Sequence, residues 1–362
     1  GETMKNKNDS LNMEKVEEFI RELEKKGLPK KAEEDGTREF REELDSMKNV
    51  IIGVMGKVSA GKSTLINSLF NAEIAEVSAI PGTTQDIQVY RFDDKTVIVD
   101  TPGLQDIESS RSDKAKEYVE NMDVGIYIFS DASVGKEELE NFHMLCDRVP
   151  YVIPVFNKLD TVPEEERGKL VEWLEAKIGR RVIPASLKPA VPGMEPFGLE
   201  EIEAELEKAL SDRMVLLGPH LRELKFKDRV VEKRLWAYAA TAATIGFLPL
   251  PGSDIVPLTK LQVAMGLHIA RIYGYKDTAK DIVRLLGSIA TGLAGREIFR
   301  QLVKLIPGAG QVLGALIAGS FTYALGKAFK AYYRSGKQKE ISELIETAKE
   351  AVEEYRRKAK EH

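Results

Sequence analysis

The chain has 362 residues, 43% of them hydrophobic and 31% charged, with a formal net charge of −5. That length suits roughly two domains of about 100–200 residues each, and the apolar share is compatible with full cores. A single cysteine, Cys146, excludes an intramolecular disulfide framework, and four scattered histidines show no metal-ligand spacing.

Charge is divided unevenly. Arg213–His362 holds 25 Lys and Arg against 14 Asp and Glu, whereas the part before it holds 28 against 44. A basic C-terminal half suits an anionic partner, a membrane or a nucleic acid. The polar, charged start reads as no secretory leader. Residues 11–27 and 37–47 predict short amphipathic helices, with Met13, Val16, Ile20 and Leu23 at helical spacing. The apolar run Val50-Ile51-Ile52-Gly53-Val54-Met55 then predicts a buried strand, and Leu65 to Phe70 predicts a helix.

Between them lies Gly56-Lys57-Val58-Ser59-Ala60-Gly61-Lys62-Ser63-Thr64, which fits the phosphate-loop pattern G-x-x-x-x-G-K-[ST] in its strand–loop–helix context. Gly56 and Gly61 permit torsions that other residues disfavour. The loop amides, Ser59, Ala60 and Gly61 among them, can then converge on phosphate oxygens at a helix N-terminus. Lys62 would reach the β- and γ-phosphates, Ser63 would ligate Mg²⁺, and Thr64 would sit at the α-phosphate.

Four further motifs follow, each past a predicted strand or in a switch-like loop. Pro81-Gly82-Thr83-Thr84-Gln85-Asp86 precedes the strand Ile87–Phe92, and Asp100-Thr101-Pro102-Gly103 follows the strand Thr96–Val99. Asn157-Lys158-Leu159-Asp160 follows Tyr151–Phe156, and Ser186-Leu187-Lys188 follows Arg181–Ala185. Ligands of open α/β sheets gather at the carboxyl ends of the strands.

On these motifs, residues 48–212 resemble a translation-factor-class GTPase domain close to the TrmE–Era–EngA group. The resemblance implies an α/β P-loop fold, a mixed and mostly parallel sheet with helices on both faces. It implies that Thr84 and Asp100 hold Mg²⁺ with Ser63, and that the Gly103 amide meets the γ-phosphate. Lys62, Thr84 and Gly103 are then the catalytic candidates. Asn157 would tie the base loop to the phosphate loop, Lys158 would pack over guanine, and the Ser186-Leu187 backbone would meet guanine O6. Asp160 reads as the guanine selector, because a carboxylate accepts from N1–H and the N2 amino group together, and adenine offers no such pair.

Two departures from the family bear on mechanism. Leu104 stands where some GTPases place a water-orienting Gln, and leucine cannot polarise water, so intrinsic hydrolysis is expected to be slow. Ser59 stands where the Era-like group often carries Asn linked to potassium. The wording Ser59-Ala60-Gly61-Lys62-Ser63 is closer to dynamin-like GTPases, which leaves K⁺ or Na⁺ as the cation and brings in a homodimer through the G domain.

The C-terminal part predicts an all-α region. Leu235–Leu250 and Leu305–Gly326 are uncharged, and the second run of 22 residues could cross a bilayer by length alone. Gly310, Gly314, Ala318, Thr322 and Gly326 recur every four residues, and Gly287, Thr291 and Gly295 form a shorter ridge, a device for close helix approach in membrane pairs and soluble hairpins alike. The phrases Pro249-Leu250-Pro251-Gly252-Ser253-Asp254-Ile255-Val256-Pro257 and Leu305-Ile306-Pro307-Gly308-Ala309-Gly310 resemble a helical domain of unknown function found in YcjF-type bacterial proteins. Gly292-Leu293-Ala294-Gly295-Arg296 fits the G-x-x-G of an RNA-binding KH loop, but its flanks lack the strands that fold needs. Lys337–Glu361 predicts a charged helix with Ile341, Leu344, Ile345, Ala348, Val352 and Tyr355 on one stripe.

The expected organisation is N-terminal helices over 1–47, a G domain over 48–212, a Gly-rich helical domain over 213–335 and a charged helix over 336–362. The expected function is a GTP-hydrolysing switch, binding GTP and GDP, whose residues 213–335 meet an anionic membrane at its cytoplasmic face, peripherally or by insertion. The rivals are a dynamin-like remodelling GTPase acting through dimers and an Era-type GTPase bound to ribosome or RNA; nucleic acid is the weaker partner.

Overall fold

The computed structural model describes residues 30–80, 87–108, 112–130, 134–246, 255–293 and 310–358. The predicted helix at 11–27, the whole segment 81–86 with Thr84, and most of the 292–296 and 305–310 phrases lie outside them. The described elements form two compact units, Met47–Phe226 and the helices on either side of that span.

Helix α1 (Lys30–Ser46) is the first described element, and it covers residues ahead of those its apolar pattern predicts. Its extra turns bury Ala32 and Gly36, small residues that carry no strong periodic signal. The first unit then runs β1 (Val50–Met55), α2 (Lys62–Leu69), β2 (Glu76–Ala79), β3 (Gln88–Arg91) and β4 (Thr96–Thr101). It continues with α3 (Leu104–Glu108), α4 (Asp113–Glu120), β5 (Val124–Phe129), α5 (Lys136–Arg148) and β6 (Tyr151–Phe156). It closes with α6 (Glu164–Ile178), β7 (Ile183–Pro184), α7 (Leu199–Ala209) and α8 (Met214–Leu217).

The seven strands form one sheet in the order β2-β3-β4-β1-β5-β6-β7. The β2–β3 and β3–β4 pairs are antiparallel, and β4–β1–β5–β6–β7 are parallel. Strands β1, β4 and β5 are buried at every residue, as strands covered on both faces must be, and their sequences are nearly continuous apolar runs. The core gathers Val97 and Val99 of β4, Tyr127 and Phe129 of β5, Phe142 and Leu145 of α5, and Phe156 of β6. Edge strand β2 is exposed at all four residues and has no clear alternation, which explains why periodicity does not reveal it. Because the parallel strands point the same way, the loops after β1, β4, β6 and β7 emerge at one edge.

The second region is all-helical: α9 (Leu224–Gly246), α10 (Ile255–Ile272), α11 (Ala279–Leu293), α12 (Gly310–Arg334) and α13 (Ile341–Lys358). Helix α12 packs against α13 and α10, and α1 packs against α10. The small-residue ridge of α12 is a packing surface. A side chain at Gly326 would collide with Leu235 of α9, and Thr322 accepts a hydrogen bond from Gln262 of α10 at 3.1 Å in the interior. Aromatic groups close the other side, with Trp236 stacked on Tyr355 and tilted against Tyr323. Among the described residues, no helix is long and apolar enough to cross a membrane.

Candidate functional site

The phosphate loop leaves β1 at Gly56 and enters α2 at Lys62. Gly61 has φ +106°, and a side chain there would strike the Asn157 amide nitrogen. Both facts require glycine, since left-handed torsions strain other residues and the space is already filled. Lys62 Nζ donates to the carbonyls of Gly56 at 3.0 Å and Lys57 at 3.1 Å, so the ammonium is folded back over its own loop. It also lies 3.9 Å from Asp100 Oδ1. Burial lowers the Lys62 pKa while Asp100 pulls it back up. Burial likewise raises the Asp100 pKa, opposed by Lys62 and by the Ser63 hydroxyl hydrogen-bonded to it.

The loop after β4 meets the phosphate loop directly: the Gly56 amide donates to the Pro102 carbonyl at 3.3 Å. Thr101 Oγ1 donates to the Gly103 carbonyl at 3.0 Å and stiffens that turn. Leu104 is fully buried and belongs to the hydrophobic core, so its side chain turns away from any reacting water. Polar groups come instead from α5. Asn141 would be 3.0 Å from a side chain built on Gly103, and Glu138 forms an ion pair with Lys57 of the phosphate loop at 2.5 Å.

The base-side loops are joined by side chains. Asn157 Nδ2 donates to the Ala60 carbonyl at 2.9 Å, and Asn157 Oδ1 accepts from the Leu187 amide at 3.1 Å. One carboxamide thus links the phosphate loop, the loop after β6 and the loop after β7. Lys158 has φ +64°, which turns the chain into the single 3₁₀ turn Leu159–Thr161 that carries Asp160. Asp160 Oδ1 accepts from the Ser186 hydroxyl at 2.6 Å, and Oδ2 accepts from the Ala190 amide at 2.7 Å. Burial opposes ionisation of Asp160, but these two donors, with its own backbone N–H and Arg167, together outweigh it and hold the carboxyl below its usual range. The Ser186 amide donates to the Phe197 carbonyl at 3.1 Å. Leu187, in place of the common alanine, is buried and leaves the backbone path intact.

The structure therefore brings Gly56, Ser59, Ala60, Gly61, Lys62, Ser63, Thr64, Asp100 and Gly103 to the ends of β1 and β4. It brings Asn157, Lys158, Asp160, Ser186 and Leu187 to the ends of β6 and β7. Thr84 falls in 81–86, outside the described residues. Sequence reading missed Glu138, Asn141 and Ala190. The first two sit on an ordinary amphipathic helix, and the third contributes only its backbone.

Among the described residues, no cluster of three or more His, Cys, Asp or Glu could hold a metal. The hydroxyl of Ser63 and the carboxylate of Asp100 are hard oxygen donors placed together at the phosphate loop. That pair fits Mg²⁺, which takes one or two protein oxygens and completes its shell with phosphates and water.

Residues 51–158 match the family described as 50S ribosome-binding GTPase, and residues 222–357 match a domain of unknown function, DUF697. The chain is 31% identical over 186 residues to GTPase Era of Fusobacterium nucleatum, covering 46% of this chain and 58% of that protein. It is 32% identical over 119 residues to magnetosome membrane protein 22 of Magnetospirillum gryphiswaldense, covering 30% of this chain and 60% of that protein. The chain thus spans less than two thirds of the length of these relatives. Among solved structures, the G domain of FeoB from Methanococcus jannaschii is 24% identical and covers 46% of this chain and 99% of that one, with a TM-score of 0.30. A likeness that loose carries no weight beside the sheet order itself. The chain joins a P-loop GTPase domain, of the kind found in Era and its relatives, to a C-terminal DUF697 domain.

Proposed function

We propose that the protein binds GTP and hydrolyses it to GDP and phosphate, as a switch read out by the helical region. The observation that carries this reading is the joining of two half-sites by Asn157. A loop built for phosphates and a carboxylate suited to guanine are held together by its one side chain.

In this reading Lys62 exchanges its loop carbonyls for the β- and γ-phosphate oxygens and stabilises charge developing on the transferred group. The amides of Ser59, Ala60 and Gly61, with Ser63 and Thr64 at the start of α2, cradle the phosphates. Ser63, Asp100 and Thr84 would hold Mg²⁺. Bound there, Mg²⁺ would neutralise phosphate charge and orient the terminal group for in-line attack. The Gly103 amide donates to the γ-phosphate, so loss of that phosphate frees the turn after β4 to move. Asp160 accepts from guanine N1–H and N2, Lys158 covers the base, and the Ser186-Leu187 backbone lies toward O6, with the Leu187 N–H shared between O6 and Asn157 Oδ1. With Leu104 packed in the core, nothing at that position orients water, and turnover is slow until a partner, a cation or a second G domain supplies that function.

Side-by-side titration with GDP and ADP tests the core of the proposal. GDP should bind at least about a hundredfold more tightly, because adenine leaves the buried carboxylate unpaired; equal affinity would sink it.

The helical region is proposed to meet an anionic membrane surface. The basic excess after residue 213 supports this, as does the likeness to a magnetosome membrane protein. Flotation of the full chain with phosphatidylserine vesicles should recover it at low salt and lose it at high salt. Recovery with neutral vesicles alone, or none at all, would count against a charge-driven contact.

A further inference from the structure

We propose that the backbone N–H of Ala190 is a specificity-determining group of the base site: together with the Ser186 hydroxyl on the other oxygen, it orients the Asp160 carboxylate so that both oxygens can accept from the base. The inference rests on the guanine reading above and adds a group that the motifs do not mark.

An ionised carboxylate offers about four lone-pair positions, two on each oxygen. At Asp160 one position on Oδ1 is taken by Ser186 Oγ at 2.6 Å and one on Oδ2 by Ala190 N at 2.7 Å. Asp160's own backbone N–H adds a weaker contact, both oxygens keep accepting capacity, and guanine presents two donors side by side, N1–H and the N2 amino group. Without a donor on each oxygen, the terminal torsion of an Asp side chain has a broad minimum and the carboxylate plane would wander. The two internal donors therefore set the plane in which guanine must lie.

The chain path holds both donors in place. Ser186 and Phe197 exchange two backbone hydrogen bonds of 3.1 Å, which close the loop that carries Ala190. On the Asp160 side, the Leu159 amide donates to the Ala185 carbonyl at 3.2 Å, tying the carboxylate's own turn to β7. Pro189 fixes its own φ and narrows the choices of Lys188 before it, so the loop enters Ala190 with few alternatives. The prolines at 189 and 192 flank position 190, which keeps the N–H that a proline would lack. Asp160 is 6% exposed, so solvent cannot replace a missing donor at full strength. The same two donors favour the ionised form against burial, with Asp160's own backbone N–H and then Arg167 adding smaller pulls in the same direction.

The test uses the full chain with the Ala190 N–H replaced by an ester oxygen (Ala190→lactate), and Ala190→Pro as a second variant that removes the same donor. Binding of GDP and ADP is measured from pH 7 down to the acid limit of folding. Wild-type protein that fails to prefer GDP over ADP would defeat the guanine reading before the variants are considered. Given that preference, both variants should bind GDP about tenfold or more weakly at pH 7. The acid limb of GDP binding should also move to higher pH, because Asp160 takes up its proton more readily. Unchanged GDP affinity in the ester variant overturns the proposal. So does a loss with the acid limb unmoved, since general damage to the loop would not shift the titration of one carboxyl. If Ala190→Pro does not fold, the ester variant decides alone.

Discussion

The two regions of this molecule use the missing side chain of glycine in different ways. At Gly61 it allows a left-handed torsion and makes room for the Asn157 amide, so the backbone can wrap a ligand. At Gly326 the torsions are those of an ordinary helix, and the missing side chain makes room for Leu235 of a neighbouring helix. The first kind of glycine belongs to a spaced motif, because phosphate geometry dictates where each amide must point. The second follows the helical repeat, because only the facing helix dictates it. Spacing by itself therefore names a chemistry in the first region and only a packing mode in the second.

The largest expected effect is chemical and confined to the G domain. Lys62→Ala should lower GTP affinity by more than about a hundredfold, since charge-assisted contacts to two phosphates are lost. Its melting temperature without nucleotide should stay near wild type, because the ammonium hydrogen-bonds loop carbonyls and its ion-pair partner Asp100 is no nearer than 3.9 Å. A parallel loss of stability would mean that Lys62 is structural and that the comparison is drawn in the wrong place.

Next come the glycines themselves. Gly61→Ala should abolish tight nucleotide binding and destabilise the G domain by about 1–3 kcal/mol, through torsional strain and the collision with Asn157. Gly326→Val should destabilise the helical region by a similar 1–3 kcal/mol or so through overpacking, and leave GDP affinity within about twofold. Denaturant melts paired with nucleotide titrations read both outcomes. A Gly326 variant that loses nucleotide would show coupling between the regions where separate roles are expected.

The smallest effect concerns pH. Asp93 accepts from the amides of Lys95 and Thr96 at 2.8 Å each and faces His220 Nε2 at 2.8 Å. Burial pushes its carboxyl up, but His220 and these amides prevail and bring it down to about 2. A carboxyl depressed in the folded state stabilises above its unfolded pKa, near 4, and loses that contribution as pH falls toward 2. Asp93→Asn should therefore lower stability at pH 7 by about 1 kcal/mol after solvent screening, and by almost nothing at pH 2. In the helical region, Glu354 is likewise held at about 2 against burial, by Lys358 and Lys327. Glu354→Gln should show the same sign and a similar size, and an equal deficit at both pH values would refute the linkage in either place.

Much of the G domain was legible because its motifs are chemical requirements. Strand β1 followed by the phosphate loop, and Asn157 through Asp160 after β6, lie where the apolar runs and motifs placed them. Other elements were not legible, for separate physical reasons. Strand β2 is an exposed edge, and its residues carry no burial pattern to read. Helix α1 begins early because Ala32 and Gly36 pack, and small residues contribute little to an apolar period. The burial of Leu104 was not visible either: the residue type excluded a water-orienting role, but only the core showed where the side chain goes. The small-residue ridge of α12 marked a close helix approach, but not that Leu235 and Gln262 are the groups that meet it.

By itself, the sequence determined which side chains the proposed chemistry calls on: a lysine for phosphate, hard oxygens for a divalent cation and a carboxylate for a base with two donors. Tertiary structure alone decided what aligns them. The Ala190 amide on Asp160, the double engagement of Asn157 and the partners of the α12 ridge all depend on the path of the chain. A backbone donor is the same in almost every residue, and a contact surface exists only once two segments meet, so neither leaves a signature in the order of the letters.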